Sequence, residues 1–212
     1  MYRALAAGAA IISLFTGGSP WHGSDGPAPT DHVVIDVATV NGSGCPSGTA
    51  AVAVAPDNTA FTVTYSAYLA QVGVGAQPTD LRKNCQLNLW VHVPQGFTYA
   101  IASADYRGYA HLEAGATAQE RANYYFQGQS ATTYTVHPFK GPLDTDWQAT
   151  DTADIASLVY APCGEERLFN INTELRVGAG SSDTAHTTSF MTMDSTDGDI
   201  STTYHFAWEH CP

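Results

Sequence analysis

Alternation with period two is the feature that most narrows what this chain can fold into. In "QLNLWVHV" the residues Leu87, Leu89, Val91 and Val93 fall on one face, and Gln86, Asn88, Trp90 and His92 fall on the other. That is the signature of a half-buried strand. "AFTVTYS" groups Phe61, Val63 and Tyr65, "LFNINTELRV" groups Phe169, Ile171, Leu175 and Val177, and "TTYHFAWEH" groups Tyr204, Phe206 and Trp208. Further strand runs are expected over residues 32–40, 50–55, 97–106 and 132–137. Turn signals such as "NGSG", "PDN", "PQG", "YRG" and "DG" separate them at short intervals, so the expected fold is an all-β, antiparallel two-sheet β-sandwich. Helical period is almost absent.

The segment "GATAQERANYYFQG" contains good helix formers, yet Ala116, Ala118, Ala122, Tyr124 and Phe126 alternate, and it reads as a strand. Glu120 then sits on the apolar face, where a carboxylate is costly unless paired. A bulge or strand end that lets it reach water, or pairing with an arginine such as Arg107, is the expected relief.

The first thirty residues have a different character. Arg3 precedes an apolar run from Leu5 to Phe15, and small and turn-forming residues follow. This is the pattern of a secretory signal peptide over residues 1–18, followed by a flexible leader over 19–31 and one domain over 32–212. The apolar run is too short to cross a bilayer, which takes roughly 20 residues. No membrane span is expected.

Charge narrows the partners. The net charge is −12, from 8 Lys and Arg against 20 Asp and Glu, and Lys83 and Lys140 are the only lysines. Nucleic acid and anionic membranes are poor partners for such a chain. Cys45, Cys85, Cys163 and Cys211 make an even number in an exported chain, with no C-x-x-C pair, so two disulfides are expected. Of the three pairings, Cys45 with Cys85 and Cys163 with Cys211 is favoured because each joins near neighbours.

The segments "NGSGCPSGTAAVAVAPDNTAFTVTYS", "RKNCQLNLWVHVPQGFTYAIASADYRGYAHLEAGATA", "APCGEERLFNINTELRV" and "SFMTMDSTDGDI" resemble the family catalogued as domain of unknown function 4360. The family comprises small secreted proteins of fungi and bacteria, and the resemblance runs from Val37 to the end. It implies a secreted, cysteine-bearing domain and brings no catalytic residue with it.

Chemistry has few footholds. No G-x-S-x-G elbow is present for a Ser-His-Asp hydrolase. His22 and His32 stand behind poor processing residues for a copper site built on an N-terminal amine. His111 and Glu113 share a strand face and supply two metal ligands, with His92, His205 and His210 as candidate completions. Glycoside hydrolysis needs two carboxyls across a cleft, and no pair is marked.

Binding has more support. Trp90 lies on the polar face of its strand beside Asn88, Gln86 and His92, and Tyr106, Tyr109, Tyr125 and Trp147 are further candidates for exposure. Aromatic faces beside amides suit sugar rings. The expectation is a non-enzymatic extracellular binding or structural protein associated with polysaccharide or cell wall, using Trp90, Asn88 and His92. The alternative is a secreted hydrolase of extracellular polymers.

The stretch "FMTMDSTDGDISTTYHFAW" sets Asp194, Asp197 and Asp199 around Gly198. Counting from Asp194 puts glycine fifth and His205 twelfth, which fails the helix-flanked calcium loop with its sixth-position glycine and twelfth-position glutamate. Asp197-Gly198 is instead a hairpin signal, with Met191 and Met193 paired to Ile200 and Thr202. No cofactor is expected apart from a weak calcium site at Asp194, Asp197 and Asp199, joined by Asp144, Asp146, Asp151 and Asp154.

Overall fold

A computed structural model describes residues 26–130, 134–153, 158–193 and 201–212. Among the described residues the regular elements are twelve strands: β1 Val34–Asn41, β2 Ala50–Val54, β3 Ala60–Tyr65, β4 Leu69–Gly73, β5 Arg82–His92, β6 Phe97–Leu112, β7 Thr117–Phe126, β8 Thr135–Lys140, β9 Leu143–Thr152, β10 Phe169–Gly178, β11 Thr188–Thr192 and β12 Thr202–His210. They build two antiparallel sheets. One has the order β1-β5-β10-β7-β8, and the other runs β2-β3-β12-β6-β11-β4 with β9 also paired to β6. The all-β sandwich read from the alternation is what the chain forms.

Alternation decides which side chains go between the sheets. Leu87 and Leu89 of β5, Ile171 and Leu175 of β10, and Ala118, Ala122 and Phe126 of β7 are buried from one side. Phe61 and Val63 of β3, Tyr204 and Trp208 of β12, and Tyr106 and Ala110 of β6 meet them from the other. Stacking at 4.9 Å between Phe61 and Tyr204, and an edge-on contact at 5.4 Å between Tyr99 and Phe126, fill the core with aromatic area.

Both disulfides join the cysteines expected, Cys45 to Cys85 and Cys163 to Cys211. The first fastens the connection after β1 to the neighbouring inner strand β5. The second ties the segment before β10 to the end of β12.

The leader expectation changes for residues 26–31. Gly26 donates its backbone N–H to the carbonyl of Trp208 at 2.8 Å, and Pro29 and Asp31 offer their carbonyls to the Asn58 amide at 2.9 and 2.8 Å. This piece is docked on the sandwich because Asn58, buried at 2% exposure, needs those acceptors. The signal-peptide segment 1–18 lies outside the described residues.

The expected Met191–Thr202 hairpin pairing is also corrected. Met191 pairs with Ala70 of β4 and Ala110 of β6, whereas Thr202 pairs with Val63 of β3. Long strand β6 lies between β11 and β12 and takes the hydrogen bonds the hairpin would have used. Among the described residues no helix is long and apolar enough to cross a membrane.

Candidate functional site

The outer face of the five-stranded sheet carries an unusual density of primary amides. Register sets Asn88 of β5 beside Asn170 of β10, and Asn170 beside Tyr125 of β7. One step along, Gln86, Asn172 and Asn123 form a second row. Within it the Asn172 Nδ2 donates to Asn123 Oδ1 at 3.1 Å, and between the rows Gln86 Nε2 reaches Asn88 Oδ1 at 3.5 Å. Asn41 and Thr39 extend the rows onto β1. Asn123 and Asn170 are almost covered, at 3% and 6% exposure, with Asn170 Nδ2 donating to the carbonyls of Tyr125 and Leu168. Gln86, Asn88 and Asn172 are half-buried, and the two rows together are called the amide trough.

Trp90 stands at one end of this trough, half-buried and opposite Asp36. Its neighbour on the same face, His92, contacts Asp36 Oδ2 through Nε2 at 3.1 Å and approaches Glu166 Oε1 through Nδ1 at 3.6 Å. At the other end Glu174 is held by Arg82 and by Arg121, the latter at 2.9 Å. Trp90, Asn88 and His92 therefore do share one face, and the structure adds Asn123, Asn170, Asn172 and Tyr125 to them.

His92 also lines a cleft. That cleft has a volume of about 560 Å³ and lies between the β5–β6 turn and the segment around Glu165, with Val93, Phe97, Tyr99, Glu166 and the Cys163–Cys211 disulfide among its walls. A smaller apolar pocket of about 130 Å³ lies beside Tyr125, lined by Ile101, Phe126, Val159 and Phe169.

Other candidates are placed elsewhere. Tyr106 and Trp147, expected exposed, are buried at 0% and 5%. Their inward direction follows from the β6–β9 pairing, which opposes Tyr106 to Ala149 and Trp147 to Gly108. Tyr109 is half-buried on the outer face of the seven-stranded sheet, where its hydroxyl donates to Asp144 Oδ1.

His111 and Glu113 do come together, on that same outer face. The imidazole lies between two carboxylates, with Nε2 3.4 Å from Glu113 Oε1 and Nδ1 3.1 Å from Asp144 Oδ1, and Phe190 stacks on the ring at 5.6 Å. The hydrogen bond to Asp144 raises the His111 pKa above its ordinary value, and Glu113 adds to the effect. Both ring nitrogens are thereby engaged. His205 instead pairs with Asp105 at 3.0 Å, and His210 packs on Phe97 at 4.4 Å, so neither completes a metal set with His111. Among the described residues no group of three His, Cys, Asp or Glu is arranged to hold a metal.

Asp194, Asp197 and Asp199, together with Asp154, lie outside the described residues. Of the acidic residues expected to join them, Asp144 and Asp146 face outward, whereas Asp151 turns inward at 8% exposure. Strand parity separates them.

Glu120 neither reaches water nor meets Arg107, which is exposed. It is fully buried between the sheets. Trp90, His111 and Glu120 thus occupy three different places: one outer face, the opposite outer face and the interior.

Comparison with known proteins gives the placement. The family model described as Domain of unknown function (DUF4360) matches residues 31–211. The chain belongs to the DUF4360 family. An "Uncharacterized secreted protein" of Arthroderma benhamiae is 38% identical over 189 residues, covering 89% of this chain and 76% of the relative. The DUF4360 match spans both sheets and all four cysteines, so the disulfide-clamped sandwich and its amide trough all lie within the family's bounds.

Proposed function

We propose that this DUF4360 protein is secreted and acts outside the cell as a non-enzymatic binder of neutral polysaccharide, of the kind found in cell walls and extracellular matrices. Secretion is supported by the secreted relative, by the signal-peptide pattern of residues 1–18 and by two disulfides, which persist in oxidising surroundings.

The observation that carries the binding reading is the set of half-buried side chains Gln86, Asn88, Asn172 and Tyr125 on one sheet face, with Asn123 and Asn170 beneath them in the same two rows and Trp90 at their end. A primary amide both donates and accepts, which matches a sugar hydroxyl, and an indole face stacks on the apolar C–H side of the ring. Uncharged polymers suit the trough better than acidic ones, since the whole chain carries −12. The cleft next to His92 would receive a chain end or branch leaving the trough.

The test is retention on insoluble neutral polysaccharides. Saturable, reversible binding without release of soluble sugar is expected, and Trp90→Ala should weaken it about tenfold, or ~1.4 kcal/mol, with the fold unchanged. Release of soluble product would favour the hydrolase reading instead. Unaltered retention in both Trp90→Ala and Asn172→Ala would remove the trough as the site.

A further inference from the structure

Polar side chains from β3, β7 and β12 meet between the sheets without satisfying one another. Both carboxyl oxygens of Glu120 are buried with no hydrogen-bond partner, and so are the hydroxyls of Thr202, Tyr65 and Tyr204. Tyr65 and Tyr204 are coupled to each other and both feel Glu120, yet neither hydroxyl completes a hydrogen bond of normal geometry. Tyr68, which also feels Glu120, spends its hydroxyl on Thr173 Oγ1 at 3.1 Å. Tyr106 stands edge-on to Tyr204 at 6.2 Å, and its hydroxyl is likewise buried without a partner.

Among the described residues no cation from the surrounding elements pairs with the carboxyl. Arg121, the next residue of β7, points to the outer face and pairs with Glu174. His137 is the cross-strand neighbour of Glu120 on β8, but it gives Nε2 to Asp151 Oδ1 at 2.6 Å. Tyr124 donates to Asp151 as well, at 2.9 Å. The charge that does act on Glu120 is that of Asp151, and it is of the wrong sign. Burial, with the Asp151 charge second, pushes the Glu120 pKa up to about 9. At neutral pH the group is a carboxylic acid, with one O–H to donate and lone pairs to fill.

We propose that the region between the sheets at Glu120 is an internal water-binding site, held by the Glu120 carboxyl and the hydroxyls of Tyr65 and Tyr204. Water is the ligand whose chemistry fits. It donates and accepts at once, and buried waters in folded proteins typically make about three hydrogen bonds to polar groups left unsatisfied by the chain. Glycerol-sized solutes have no entry, since Glu120 has no exposed surface.

The site ties folding to one proton. A glutamate whose folded pKa lies above its unfolded value contributes most below the unfolded value, 4.5, and that contribution is lost as pH rises to about 9. Across this window the unfolding constant should climb by about tenfold per pH unit on account of Glu120. The tyrosines facing it stay neutral throughout, because burial raises Tyr65, Tyr68, Tyr124 and Tyr204 still further above their ordinary value. The His137–Asp151 pair is present in wild type and variant alike, so the difference between the two isolates Glu120.

A high-resolution crystal structure of the wild-type protein should show ordered water within about 3 Å of Glu120 and of a tyrosine hydroxyl. Carbon-13 NMR of labelled glutamate at pH 7 should find one carboxyl still protonated. Urea unfolding should show the pH slope in wild type and its loss in Glu120→Gln. A dry site, a Glu120 carboxyl paired directly with a protein group, a full set of glutamates titrating below about pH 6, or equal slopes in the two proteins would each overturn the proposal. The first two measurements need no variant and stand even if Glu120→Gln does not fold.

Discussion

The indole Nε1 of Trp208 donates to the backbone carbonyl of Asn58 at 2.9 Å, tying the last strand to the β2–β3 turn. Asn58 is the hub of a larger joint. Its φ of 56° is a left-handed conformation that asparagine tolerates better than most residues. Its side chain donates to the carbonyls of Pro29 and Asp31 and accepts from the Val33 N–H at 3.1 Å. Replacing it by alanine removes three hydrogen bonds, two of them buried, and leaves their partners stranded. Asn58→Ala should cost about 3 kcal/mol, read as a lower urea midpoint. Asn58→Gly relaxes the backbone but restores none of the bonds, so it should remain destabilised. A wild-type midpoint in both would show that docking of residues 26–31 carries no stability.

The cysteine framework makes a second expectation. Thiol titration of the unfolded, unreduced protein should find no free thiol, since both pairs are bonded. Loop-closure entropy makes crosslinks with separations of 40 and 48 residues worth about 4 kcal/mol each. Single Cys-to-Ser pair variants should lose roughly that much. A peptide map joining Cys45 to Cys163 would contradict the framework.

Gly108 should resist any side chain. An added Cβ would lie 2.8 Å from the Trp147 ring and would overlap the Thr192 carbonyl. That carbonyl is the acceptor for Trp147 Nε1 at 3.1 Å. Gly108→Ala should therefore push β11 away from β6 and cost about 3 kcal/mol, with a change in Trp147 fluorescence. An unshifted thermal midpoint would mean that the strands separate freely here.

His111 offers a pH test on the opposite outer face. Its raised pKa has the Asp144 hydrogen bond as main cause, and the bond acts in reverse on Asp144, lowered first by Tyr109 and then by His111. A histidine shifted upward contributes stability below its unfolded value, about 6.5, and loses it as pH rises through the folded value. Proton NMR should place the His111 midpoint above the ordinary range, and Asp144→Asn should bring it down. Glu113 and Asp146 also face this region, so a partial fall is expected. No fall at all would show that the ion pair is broken in solution.

Much of the sandwich was legible because β5, β10 and β12 alternate cleanly between large apolar and polar residues. Strand β9 was not, since its inward positions are Trp147, Ala149 and Asp151 and its outward ones are Asp, Thr and Gln. Five-residue β4 is too short to show a period. Aromatics misled where parity was uncertain. Tyr106 and Trp147 suit a surface or a core equally well, and the register that buries them comes from a partner strand distant in sequence. The amide trough was half readable: Asn170 and Asn172 visibly alternate with Phe169 and Ile171, but nothing local says that β10 lies between β5 and β7. Alternation did place Glu120 on the apolar face. What it could not supply was the absence of a counter-charge, which depends on where Arg121 and His137 spend their own bonds.

The two disulfides also decide how the protein behaves when it is stretched. One crosslink encloses β2, β3 and β4, and the other encloses β10, β11 and β12. A pull applied to the chain ends can therefore peel β1 and unravel β6 to β9, but it cannot lengthen either enclosed loop. With separations of 40 and 48 residues and about 3.4 Å of contour per residue, roughly 300 Å of hidden length stays locked until a reductant cuts the crosslinks. The central strands of both sheets, β10 and β12, lie within or beside that reserve, so stretching the chain to its full contour would require reduction first.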